Sequence, residues 1–238
     1  MKELKKLSER LYVYEYEEYG DRPNLFYIKG DDFSAAVDAG NSRKHLEAFY
    51  KAIEDKGFPL PLYTIISHWH WDHTFALNAI NGYSIASSKC QEYLDKVMKW
   101  EWNLEAMKKR EISGEDIAFC NENIQLEYPD LKEISVINTD IGISEEMDMD
   151  LGGIIVKLIP MASTHGYDSL YVYLPSEDAL IVEDADNPDF YHGSIYDQDV
   201  LKKMISFFES LDYKYHYLGH AECETKEEAI ERLRKEII

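Results

Sequence analysis

The sequence predicts an α+β fold built in layers. Three observations lead there. Runs of apolar, β-branched and aromatic residues fall into two groups, within 11–86 and within 135–182. Each group is followed by segments whose apolar residues recur at helical spacing. Several of the runs are apolar at nearly every position, the pattern of strands covered on both faces.

The first group opens with Leu11-Tyr-Val-Tyr-Glu-Tyr16, then Asn24 to Gly30, which ends in a Gly-Asp-Asp turn, then Phe33 to Gly40. Ser42 is placed to cap a helix carrying Leu46, Phe49, Tyr50 and Ile53, and Gly57 is its natural stop. Leu62 to Ser67 reads as a buried strand, Thr74 to Ile80 as a short helix, and Tyr83 to Ala86 as a strand. From 88 to about 111, Cys90, Tyr93, Leu94, Val97, Met98 and Leu104 approximate a helical stripe. Less periodic sequence follows to Pro129. The second group has strands expected at Ser135 to Asn138, Gly153 to Pro160, Ser169 to Pro175 and Ala179 to Val182. A helix from Gln198 to Leu211, a strand from Tyr213 to Leu218 and a last helix from Thr225 complete the chain. Thr225 and Glu228 form the capping-box pattern at the start of that helix.

With 238 residues, 45% of them apolar, the chain can bury a substantial core, and one domain spanning 1–238 is expected. The formal net charge of −21 opposes nucleic acids and anionic membrane surfaces. Cys90, Cys120 and Cys223 are odd in number and widely spaced, so neither a disulfide framework nor a thiolate zinc knuckle is indicated. The first 18 residues lack the apolar stretch of a signal peptide, and no apolar run approaches membrane-spanning length. A cytoplasmic location is the simplest expectation.

The chemistry concentrates in His68-Trp69-His70-Trp71-Asp72-His73, directly after the Leu62–Ser67 run. Imidazole nitrogen and carboxylate oxygen suit zinc and other borderline metals. In an extended segment His68, His70 and Asp72 would share one face, and a turn would bring His73 in from the side.

This motif resembles the HxHxDH signature of the metallo-β-lactamase superfamily, and further matches follow in family order over roughly 10–238. The resemblance implies a four-layer αββα sandwich with metals at one edge. Asp38, in Val-Asp-Ala-Gly, matches a residue that supports the metal loop rather than binding metal. His165, Asp184 and His220 match the remaining ligands. By that pattern His68, His70 and His165 hold one ion, Asp72, His73 and His220 a second, and Asp184 bridges them with a hydroxide. The implied cofactors are two divalent ions, zinc first, with iron or manganese also accepted. Asp72 would be the catalytic residue, orienting the hydroxide and taking a proton.

The departures concern loops rather than ligands. Thr74-Phe75-Ala76 replaces small residues after His73, Ser163-Thr164 replaces Pro-Gly, and Glu183 replaces the Gly before Asp184. A true β-lactamase commonly carries Cys at the Asp184 position, which disfavours antibiotic hydrolysis. Residues at about 95–133 lie outside the family pattern and read as an inserted, largely helical cap. Trp100, Trp102, Met107 and Tyr128 are candidates to line a pocket beneath it. The same aromatics could instead pack the cap down or form a homodimer contact. His192 is a further substrate candidate, Asp186 and Asn187 lie close to Asp184 in sequence, and His45 and His216 read as structural.

The expected activity is hydrolysis of a small ester, thioester, lactone or related bond in a small-molecule substrate. The alternatives are a mononuclear-iron oxidoreductase of the same fold, like the persulfide dioxygenases, and a non-catalytic metal-binding sensor.

Overall fold

A computed structural model describes residues 2–238. The first sheet runs in sequence order: β1 (Lys5–Lys6), β2 (Leu11–Tyr14), β3 (Leu25–Lys29), β4 (Ser34–Val37), β5 (Tyr63–Ile65), β6 (Tyr83–Ser87) and β7 (Ile141–Ile143). Pairing is antiparallel from β1 to β4 and parallel from β4 to β7. The second sheet comprises β8 (Met147–Asp150), β9 (Ile155–Pro160), β10 (Leu170–Leu174), β11 (Ala179–Glu183), β12 (Tyr215–Leu218) and β13 (Glu224–Thr225). Only its β11–β12 pair is parallel.

Alternation along the strands builds the layers. Leu11, Val13, Phe26 and Ile28 meet Leu170, Val172, Leu174 and Ile181 in a core between the sheets. The intervening residues face outward. Tyr12, Tyr14, Leu25 and Tyr27 pack against helix α1 (Arg43–Asp55), and Tyr171, Tyr173, Leu180 and Val182 pack against α6 (Gln198–Ser210) and α7 (Lys226–Arg234). Both faces of each sheet are therefore covered, which explains the near-continuous apolar runs. The result is the four-layer αββα sandwich.

The helix signals hold locally. The Ser42 side chain accepts from the His45 backbone N–H at 3.2 Å, and Thr225 and Glu228 form the full capping box. Gly57, at φ +73°, follows α1 in the left-handed conformation that side chains resist.

Three local expectations differ. Ser135–Asn138 forms no strand. The Ser135 carbonyl accepts from Asn78 Nδ2 at 2.6 Å, and Asn138 Nδ2 donates to the Gln91 carbonyl and Asp95, so side chains take up polar groups that a ladder would use. The stripe from 88 to 111 is two helices, α3 (Ser88–Val97) and α4 (Leu104–Ser113), because Asn103 caps a new start by accepting from the Ala106 N–H. The weakly periodic stretch after it contains α5 (Ala118–Glu127). Phe119 and Leu126 of α5 are exposed, which blurs its apolar stripe.

These helices share a fourth cluster. Val97, Met107, Cys120, Ile124 and Tyr128 pack onto Trp71 and Phe75, just behind the His-rich motif.

Candidate metal centre

The topology gathers the candidate ligands at one sheet edge. Asp38 follows β4 and the His-rich motif follows β5, two parallel strands whose carboxyl ends lie side by side. Asp184 and His220 follow the parallel pair β11 and β12. His165 lies in the β9–β10 connection, which opens at the same edge. Carboxyl ends of parallel strands are where side chains from separate segments converge.

The motif itself turns. It does not stay extended as far as His73: Trp71–Thr74 forms one helical turn, α2, begun at His70 with φ −58° and ψ 152°. Thr74 Oγ1 donates to the carbonyls of Trp69 and His70 and holds the turn closed. Asp72 and His73 therefore reach the site from this turn, not from the strand face that carries His68. The helix expected from Thr74 to Ile80 is this turn plus a 3₁₀ turn at Leu77–Ala79.

Two sets of donors result at the cavities, and a third, Asp38, His73 and Glu183, lies behind them. His68, His70 and His165 have ligand atoms within 4.8 Å of one another, and so do Asp72, His73, Asp184 and His220. His165 Nε2 faces His70 Nδ1 at 2.9 Å. Asp72 Oδ2 lies 3.0 Å from both His73 Nε2 and His220 Nε2. Asp184 Oδ2 stands between the sets, 3.4 Å from His73 Nε2, 3.6 Å from His220 Nε2 and 3.9 Å from His165 Nε2. All seven residues predicted as ligands are thus brought together.

Their chemistry suits metal ions. His68 Nε2, His73 Nε2 and Asp184 Oδ1 are buried without a hydrogen-bond partner. Orphaned buried polar atoms are costly, and three at one spot fit a shared cation. Burial, then the neighbouring imidazoles, hold the pKa values of His68 and His70 well below the ordinary range. They stay neutral, the form that ligates metal. Burial opposes charge on His73, but Asp72 and Asp38 outweigh it and raise its pKa. Burial likewise opposes charge on Asp72 and Asp184, yet His73 and His220 keep both carboxyls below their usual range.

The supporting contacts come from both sheets. Asp38, fully buried at φ +65°, accepts from the Ser67 N–H at 2.7 Å and the Ser67 hydroxyl at 2.8 Å, and meets His73 Nδ1 at 2.7 Å. Asp168 Oδ2 accepts from the Trp69 N–H at 2.8 Å, and burial lifts its pKa to about 7. Asn24 Nδ2 donates to the carbonyls of Leu218 and Ala221, on either side of His220. Glu183 adopts φ +52° and is buried with both carboxylate oxygens unpartnered. Burial, then Asp38, pushes its pKa well up.

Two cavities reach the site. The first, about 450 Å³, lies over Asp72, Asp184 and His220. The second, about 540 Å³, reaches His70 and His165 from the other side, past Trp69, Tyr93 and Trp100. Tyr191 borders both, with its ring 5.0 Å from that of His70 and its hydroxyl 3.5 Å from Cys120 Sγ.

Of the substrate candidates, Trp100 lines the second cavity and His192 sits exposed at its rim, 2.7 Å from Asp189. Trp102 lines neither. Its ring packs on Phe75, and Arg110 lies 4.7 Å above it, so it belongs to the helical layer behind the motif. Met107 and Tyr128 are buried there too. Asn187 borders the first cavity, while Asp186 faces away, pairing with His216 at 2.9 Å and Arg232 at 2.6 Å.

Sequence reasoning missed Asp21, whose carboxylate lies 3.5 Å from His220 Nδ1. Burial, then the charge of Asp72, raises its pKa to about 7. Its only signal was the Gly20-Asp21 turn. Phe119, Phe190 and Tyr191 were also missed, because nothing in their spacing ties them to the motif.

Fold and site together define an αββα protein with a His/Asp metal-binding cluster at one edge of the sandwich. The Metallo-beta-lactamase superfamily model matches residues 19–220, and the chain belongs to that family. Among solved structures, a metallo-beta-lactamase from Pontibacter korlensis superposes with a TM-score of 0.69 at 13% identity, covering 98% of this chain and 97% of that one. The stereoselective inverting sec-alkylsulfatase Pisa1 from Pseudomonas sp. gives 0.67 at 13%, covering 99% of this chain but only 41% of its own. An archaeal superfamily protein from Sulfolobus tokodaii gives 0.57 at 17%, covering 95% and 85%. No curated protein sequence matches the chain.

Proposed function

We propose that the protein is a hydrolase using two divalent metal ions to cleave a small ester, thioester, lactone or related bond. One observation carries this reading: two adjoining donor sets meet at Asp184, with orphaned buried donor atoms in both. His68, His70 and His165 would hold one ion, Asp72, His73 and His220 the other, and Asp184 both. Zinc suits these donors best, and iron or manganese would accept them. When bound, such ions supply Lewis acidity toward the scissile group and acidify water so that it attacks near neutral pH.

The chain's own residues supply orientation. Asp72, held between two imidazoles, lies on the wall of the first cavity and is placed to align a water and accept its proton. Asp38 fixes the His73 ring by engaging Nδ1, so that Nε2 faces the site. The cavity over Asp72 has the size of a small-molecule site. The three free cysteines accord with a reducing cytoplasm.

Elemental analysis followed by a hydrolysis panel tests the proposal. Two metal ions per chain and hydrolysis lost in Asp72→Ala are expected. One iron per chain with oxygen consumption would establish the oxidoreductase instead. A metal-loaded protein with no turnover at all would favour the sensor.

A further inference from the structure

The cavity over Asp72 has two unlike walls. Glu18 and Asp21, from the turn between β2 and β3, form one. Tyr16, Phe119, Phe190 and Tyr191 supply aromatic surface around the rest. No lysine or arginine is among the lining residues. The nearby cations are engaged elsewhere: Lys2 pairs with Glu17, and Arg22 with Glu17 and Glu127. Glu18 is exposed, while the Asp21 carboxylate is partly buried and lies 3.5 Å from His220 Nδ1. Asp184, whose Oδ1 is buried and unpartnered, is among its lining residues together with Asp72 and His220.

A carboxylate, sulfate or phosphate group on a substrate would find no lysine or arginine here, only the imidazoles of His70, His165 and His220 that the metal reading assigns to ions. An alkylated ammonium group would find the reverse: carboxylates for its charge, and aromatic faces for its charge and its apolar shell. Apolar surface with a few placed charges is how small-molecule sites obtain orientation. We propose that the cavity selects an ester-type substrate bearing an organic cation, seated against Glu18 and Asp21 with its scissile bond over Asp72. The ester part of this statement rests on the hydrolase reading above; the cation part does not.

Two isosteric pairs separate the two. Choline and 3,3-dimethylbutan-1-ol differ in charge but hardly in shape, as do butyrylcholine and 3,3-dimethylbutyl butyrate. Binding of the first pair to the purified protein with zinc added is measured by calorimetry, and kcat/KM for the second pair by titration of released acid. The expected result is a preference of about tenfold for the charged member in both assays. Glu18→Gln, at an exposed position that leaves the core untouched, should cut that preference by about threefold or more. The remote exposed Glu145→Gln should leave it as it was.

Equal binding of choline and its isostere overturns the proposal, as does a preference that Glu18→Gln leaves intact. Cleavage of both esters without preference sustains the hydrolase and removes the cation site. Preferential choline binding without cleavage of either ester does the opposite.

Discussion

Replacing Asp38 with Asn tests how the metal-binding loops are held. Asn tolerates the left-handed backbone that Asp38 adopts at φ +65°, so the main chain need not shift. The perturbation is then confined to three contacts, from the Ser67 N–H, the Ser67 hydroxyl and the His73 ring, at 2.7 Å, 2.8 Å and 2.7 Å. A carboxylate accepts all three; an amide can accept on one side only. If its oxygen keeps the Ser67 N–H, its NH₂ faces His73 Nδ1. The ring can then pair only by accepting at Nδ1, which places its proton on Nε2, the atom facing the site. If the amide flips, the buried Ser67 N–H meets a donor. One unsatisfied buried contact costs about 1–3 kcal/mol. The wrong His73 tautomer should weaken metal binding by roughly 10–100-fold, the usual effect of losing such a partner. Zinc competition with a chromophoric chelator measures the affinity, and urea denaturation of the chelator-stripped protein measures the stability. An Asn variant binding zinc as tightly as wild type would refute the role given to Asp38.

Other outcomes follow from the same geometry. His220 has its pKa raised to about 9, because Asp184 and Asp72 outweigh the opposing effect of burial. Its contribution to stability is complete below its ordinary value near 6.5 and is lost as pH rises through about 9, so chelator-stripped protein should weaken toward alkaline pH in urea melts. Zinc-loaded protein should show a smaller loss over that window, since ligation needs the neutral ring. Added zinc should raise Tm in proportion to the logarithm of free ion concentration, and Asp184→Ala should flatten that response. Phe75→Ala removes a 3%-exposed ring from beneath Trp102 and Tyr128; about 3–5 kcal/mol should be lost, with faster proteolysis within α4 and α5. Arg232→Ala leaves buried Asp186 with His216 alone, and a loss of about 2 kcal/mol in thermal melts is expected for this partly exposed pair.

The candidate ligands were easier to read in the sequence than their surroundings. His68 to His73 lay in one short pattern directly after a legible strand, whereas His165, Asp184 and His220 were identified through the family resemblance. The central strands were legible because each is covered on both faces, which leaves a continuous apolar signature; β1, β7, β8 and β13, short and largely exposed or half-buried, leave none. What escaped was whatever depends on contacts between distant segments. Asp21 meets His220 across the two sheets, and Trp102 packs on Phe75 instead of lining a cavity. Neither relation leaves a periodic trace. The turn that brings in His73 was expected, but not that it starts at Trp71 and carries Asp72, because it is fixed by the Thr74 hydroxyl and its carbonyl partners, not by apolar spacing.

The candidate ligands come from both sheets, and Asn24, just before β3 of the first, donates to the carbonyls around His220 of the second. A chain whose sheets have not yet met can present His68, His70, Asp72 and His73 together, but not His165, Asp184 or His220. The donor sets are therefore complete only once the two sheets have docked. Metal should then act on the rate of unfolding and hardly on the rate of folding, lengthening the native lifetime without hastening its arrival.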